Sequence, residues 1–150
     1  DRQHEAAARG RRLMRVESEA QMLQFGRDFA GKLVPGDIVA IDGPLGAGKT
    51  VFCKGVLAGL GFDGDVTSPT YTIVHQYDPP DVRLALAHVD LYRIENPQDV
   101  DELGLFEGDA ITLVEWAEQY PPLSAMAHYQ LRISPGGESA RDIEIHRMRN

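Results

Sequence analysis

The stretch Asp37-Ile-Val-Ala-Ile-Asp42, followed by Gly43-Pro-Leu-Gly-Ala-Gly48-Lys49-Thr50, decides the fold. Its first half is a short apolar run bounded by turn residues, which reads as a strand buried on both faces. Its second half is a full match to G-x-x-x-x-G-K-[ST]. Glycines at that spacing let successive backbone N–H groups converge on a phosphate with no Cβ in the way. The helix expected from about Lys49 to Leu60 aims its N-terminal dipole at the same anion. Lys49 is then placed to reach the β- and γ-oxygens of a nucleotide, and the Thr50 hydroxyl to occupy one position around magnesium.

A phosphate loop needs an acid at the end of a neighbouring strand to complete its metal site, and two runs supply one. Leu84-Ala-Leu-Ala-His-Val-Asp90 ends in aspartate, and Ile111-Thr-Leu-Val-Glu115 ends in glutamate. Carboxyl ends of strands line the ligand crevice in doubly wound sheets. One acid is expected to bind magnesium and the other to orient the attacking water, with no assignment between them from the residues alone.

Working outward, Ser18 and Gln21 match a capping box, and Met22, Phe25, Phe29, Ala30 and Leu33 form the apolar stripe of a helix that Pro35-Gly36 ends. Val66-Thr-Ser-Pro-Thr-Tyr71 either places hydroxyls where nucleotide switches sense the γ-phosphate or is a hydroxyl-rich turn whose side chains satisfy their own backbone. Residues 71–77 and 82–89 flank the turn Asp78-Pro-Pro-Asp81 and are expected to pair antiparallel. Asn96 and Pro97 open a short helix. Past Pro121-Pro122, His128 to Ser134 and Asp142 to Met148 read as a hairpin closing the sheet edge. Cys53 reads as a buried small hydrophobe, and His88 as a hydrogen-bonded core histidine.

The expected fold is therefore α/β, a P-loop NTPase with a mostly parallel central sheet, antiparallel hairpin elements and helices on both faces. With 150 residues the chain is long enough for one domain with its own core. That domain is assigned to residues 16–150, after an extension over 1–15 expected to be disordered or weakly helical. The single cysteine rules out an intrachain disulfide, and no apolar run approaches the ~20 residues of a membrane span, so a cytoplasmic protein is expected.

Net charge is −8, unevenly spread. Residues 1–15 hold five arginines against Asp1 and Glu5, so the remainder carries −11. A domain so acidic lacks the basic face that releases counterions from nucleic acid, and any RNA involved is expected to be held by a partner. Glu95 to Glu118 contains eight acids and no lysine or arginine, a solvated face or a docking surface for a cationic partner.

Gly43 to Thr50, Ser68-Pro-Thr-Tyr71, His88-Val-Asp-Leu-Tyr-Arg93 and Glu115-Trp116, in this order in so short a chain, closely resemble the bacterial TsaE (YjeE) family over about residues 18–146. The resemblance implies a small ATPase that works with TsaB and TsaD in threonylcarbamoyladenosine modification of tRNA, touching tRNA only through that complex and no membrane. It implies ATP and Mg2+ as cofactors. Carried over position by position, Lys49, Asp90 and Glu115 are catalytic, and Thr50 and Glu115 hold the metal. Nucleotide contacts fall on Glu19, Gly43, Leu45, Gly46, Ala47, Gly48, Lys49, Thr50, Val51 and Thr70, with Glu19 near adenine or ribose. Pro44, Val51 and Ala117 depart from the family's usual residues, though none removes a phosphate or metal ligand.

Three other readings share the loop. A small-molecule kinase is the nearest, but it needs an acceptor pocket and an arginine-bearing lid, and only Arg83 and Arg93 lie between residues 28 and 131. A GTPase needs Asn-Lys-x-Asp, which does not occur. A non-catalytic scaffold of the same fold is the third.

Overall fold

The computed structural model describes residues 10–66 and 74–148. Thr70 and the rest of Ser68–Tyr71 lie outside the described residues. Seven strands are present among those described: β1 (Arg11–Val16), β2 (Ile38–Asp42), β3 (Val74–Tyr77), β4 (Leu86–Asp90), β5 (Ile111–Glu115), β6 (Tyr129–Pro135) and β7 (Arg141–Arg147). The helices are α1 (Glu19–Ala30), α2 (Lys49–Gly59), α3 (Pro97–Glu102) and α4 (Leu123–Met126), with a 3-10 turn at Ala117–Gln119. None of them is long and apolar enough to cross a membrane.

The sheet runs β1-β7-β6-β2-β5-β4-β3. Its centre is parallel, with β2 between β5 and β6 and β4 beside β5. Its flanks are antiparallel: β3 on β4, and β6, β7 and β1 in succession. Strands β2, β4 and β5 are buried along nearly their whole length, apolar inside but for His88 and Thr112, because both of their faces are covered. One core packs α1 and α2 against the sheet through Met22, Phe25, Phe29, Phe52 and Val56. The other packs Val100, Ala117, Tyr120 and Leu123 on the opposite face. This is the expected α/β arrangement.

Helix α1 begins as expected. The Ser18 hydroxyl accepts from the Gln21 backbone N–H at 3.1 Å, and the Gln21 side chain accepts from the Glu17 N–H at 2.7 Å. It lies against α2 at unusually close range, because Gly26, Gly55 and Gly59 remove the side chains that would hold the helices apart. A Cβ on Gly55 would stand 2.4 Å from the Leu23 carbonyl oxygen and 2.9 Å from Gly26 Cα. This contact fixes the helix that carries Lys49 and Thr50.

Two expectations are corrected. Residues 11–15 are no disordered or weakly helical extension: they form most of β1, which pairs with β7 in register from Arg11↔His146 to Val16↔Arg141. Two of its three arginines are held by acids on β7, Arg11 by Glu144 at 2.9 Å and Arg15 by Asp142 at 3.2 Å, and an edge strand tolerates such charge. In consequence the β6–β7 hairpin pairs as expected but does not close the sheet. Its inner strand joins β2, and its outer strand is covered by β1.

Candidate active site

The loop between β2 and α2 takes a shape that glycine permits. Gly46 and Gly48 have φ of +77° and +106°, left-handed values that side chains rarely adopt. Gly43 is held so close to β6 that a Cβ there would lie 2.2 Å from the Ile133 carbonyl oxygen. Helix α2 begins at Lys49, so its free N–H groups open onto the turn.

A cavity of about 290 Å³ lies against this loop, lined by Leu45, Gly46, Ala47, Gly48, Lys49, Thr50, Val51, Asp90, Tyr92, Glu115 and Trp116. Nearly all of the sequence-derived site residues therefore meet in one place. Gly43 lies just outside the lining and contributes its carbonyl. Glu19 is not in that lining but in an adjoining cavity of about 270 Å³ with Ser18, Met22, Glu138, Ser139 and Arg141. The two cavities share Gly46, Ala47, Gly48 and Val51.

Lys49 is buried, and its ammonium donates to the carbonyls of Gly43 at 2.7 Å and Pro44 at 2.8 Å. It also sits 4.0 Å from the centroid of the Trp116 ring. Burial lowers its pKa from the ordinary value of 10.5, against the opposing pull of Glu115 and Asp42. It is the one cationic side chain lining the larger cavity among the described residues.

Register sets the two acids side by side, because Asp90 on β4 pairs with Glu115 on β5. Glu115 is 2% exposed. The Thr50 hydroxyl donates to its carboxylate across Oε1 and Oε2, at 2.9 and 3.1 Å. On the inner side His88 Nε2 lies 2.5 Å from Glu115 Oε2, and His88 itself is fully buried. Asp90 instead accepts from the Tyr92 backbone N–H at 2.9 Å. A hydroxyl and a carboxylate this close, facing a phosphate loop, are hard oxygen donors of the kind magnesium uses with a nucleotide.

Two contacts have no local sequence signal. Arg141, at the start of β7, donates from Nε to the Ala47 carbonyl at 3.1 Å and from an Nη to that of Gly46 at 3.4 Å, bracing the loop from a point 94 residues away. Trp116 has φ of 58°, the one non-glycine residue with positive φ among those described, and its ring packs 4.8 Å from that of Tyr92. The reading of His88 as a hydrogen-bonded core histidine holds, with Glu115 as the partner.

A strand, a glycine turn cradling a helix N-terminus, and two acids on adjacent parallel strands define a P-loop NTPase. A family model described as threonylcarbamoyl adenosine biosynthesis protein TsaE matches residues 16–143. The chain belongs to the TsaE family. It is 36% identical over 138 residues to the tRNA threonylcarbamoyladenosine biosynthesis protein TsaE of Haemophilus influenzae, covering 87% of this chain and 85% of that one. It is 41% identical over 112 residues to the protein of the same name from Bacillus subtilis, covering 73% and 68%. The crystal structure of Bacillus subtilis YdiB superposes with a TM-score of 0.71 at 29% identity, covering 91% of this chain and 85% of that one.

Proposed function

We propose that this protein binds ATP with Mg2+, hydrolyses it slowly when alone, and assists a TsaB–TsaD complex in the threonylcarbamoyladenosine modification of tRNA. The observation that carries the reading is the Thr50–Glu115 contact, set beside Lys49 at the floor of the cavity that the phosphate loop lines. In this reading the backbone N–H groups of residues 45–50 hold the phosphate tail, and the Lys49 ammonium leaves the Gly43 and Pro44 carbonyls for phosphate oxygens. Thr50 and Glu115 would hold magnesium, which when bound neutralises charge on the β- and γ-oxygens. Asp90, one strand over and reaching the same cavity, accepts a proton from or aligns the attacking water.

No arginine lines the cavity on the side of Asp90 and Glu115 among the described residues. Among the described lining residues an arginine-bearing kinase lid has no side chain to draw on, which favours hydrolysis over transfer to a small acceptor. In this reading the same lack keeps turnover slow when the chain is alone, since an arginine supplied by a second protein raises such rates by roughly 10³–10⁵. The test is phosphate release by the chain alone, with TsaB and TsaD, and with candidate small acceptors. Stimulation only by the proteins is the expected result. Equal turnover alone and in the assembly overturns the coupling, and acceptor-dependent consumption of ATP overturns the choice of an ATPase.

A further inference from the structure

Thr50 and Glu115 account for the outer half of one buried contact chain, and its inner half serves no role yet assigned. Successive turns of α2 place Thr50 and then Cys53 against the sheet, and strands β5 and β4 present Glu115 and His88 to them. The Cys53 sulfur, a ring nitrogen of His88 and a carboxylate oxygen of Glu115 all lie within 4.8 Å of one another. His88 is 0% exposed, Nε2 faces Glu115 at 2.5 Å, and Nδ1 has no hydrogen-bond partner among the described residues. A buried polar ring with one nitrogen unsatisfied carries a desolvation cost that an apolar residue of that size would avoid.

The geometry points to His88 as a positioning residue for the metal-binding carboxylate, a role that rests on the ATPase reading above. An ionised carboxylate only accepts, so the hydrogen between the two side chains belongs to Nε2. Held by His88 from within and by Thr50 across both oxygens, the Glu115 carboxyl plane has no freedom to rotate. When Thr50 turns its hydroxyl to magnesium, the His88 bond remains and keeps the carboxylate aimed. Hydrogen-bonding partners behind metal ligands are typically worth 10–100-fold in metal affinity. Cys53, whose thiol pKa burial pushes well above its ordinary value, supplies a close-packed wall behind the imidazole.

The test has two arms. Nitrogen-15 NMR of the full chain, free of metal and nucleotide, is expected to show a hydrogen on His88 Nε2; an Nε2 that carries none overturns the assignment. In the second arm, His88→Phe is expected to raise the magnesium concentration for half-maximal phosphate release about 10–100-fold. ADP affinity in EDTA should stay within about twofold of the parent, a split that general damage to the core would not produce. His88→Gln, whose amide N–H falls where Nε2 does, should recover most of the midpoint. A parent-like midpoint in His88→Phe, or an equal loss in both variants, overturns the proposal. A parent chain that neither binds nor hydrolyses ATP instead overturns the functional reading, so the two failures are distinct.

Discussion

Substituting Gly55→Ala tests whether the contact between α1 and α2 is as close as the backbone requires. The added methyl would meet the Leu23 carbonyl oxygen at 2.4 Å, Gly26 Cα at 2.9 Å and the Leu23 carbonyl carbon at 3.1 Å. Two of these are backbone contacts below 3.0 Å, so no side-chain rotation relieves them, and α1 must move by several tenths of an ångström. Overpacking of this kind costs about 1–3 kcal/mol, and a rigid neighbour puts Gly55 in the upper half of that range. Alanine returns about 1 kcal/mol through its better helix propensity. The net loss of about 1–2 kcal/mol corresponds to a fall in Tm of roughly 3–7 °C for a domain of this size. Thermal unfolding by circular dichroism reads it, with Gly108→Ala as control, since a Cβ there meets nothing within 4 Å. A Tm at or above the parent's in Gly55→Ala refutes the close-contact argument.

Lys49→Ala should weaken ATP binding about 10–100-fold, as measured by calorimetry, because it removes charge-assisted hydrogen bonds worth about 1.5–3 kcal/mol. Parent-like affinity would take Lys49 out of the site. Glu115→Gln should bind ADP normally in EDTA yet lose at least about tenfold in magnesium-dependent phosphate release, following the loss of an ionised ligand. Glu144→Gln probes acid stability. The Glu144 carboxyl pKa is lowered from 4.5 by its hydrogen bond to His146 and then by the Arg11 charge. A lowered pKa stabilises the fold above pH 4.5, and that contribution disappears as pH falls through the lowered value. The parent should therefore exceed the variant by at most about 1 kcal/mol at pH 7, with the gap closing in melts below pH 4. A gap that persists in acid contradicts this.

The loop from Gly43 to Thr50 was legible because its chemistry is local: glycine spacing, lysine, threonine and the helix start all fall within eight residues. Asp90 and Glu115 were legible because each closes an apolar run, and parallel pairing then brings them together. Strand β1 was hidden because its arginines carry no strand signal on their own. Their partners, Glu144 and Asp142, lie more than 120 residues away. Arg141 was hidden for the same reason, and so was the link from His88 to Glu115, which depends on how β4 lies beside β5. Glu19 was named from family resemblance alone, and the fold places it in the cavity adjoining that of the acids.

The adjacency of β4 and β5 has one more consequence. Their ladder continues past the acids, with the Leu91 N–H donating to the Glu115 carbonyl at 3.0 Å, and on the far side the Trp116 N–H donates to Ile41 at 3.0 Å. The gap between the backbones of Asp90 and Glu115 is thereby a graduation of the sheet, roughly the 4.8 Å pitch between neighbouring strands. A bound protein has no hinge there to open or shut. Under the proposed function, an activating group from a second protein would therefore reach the acids from the solvent side, because the ruler itself does not stretch.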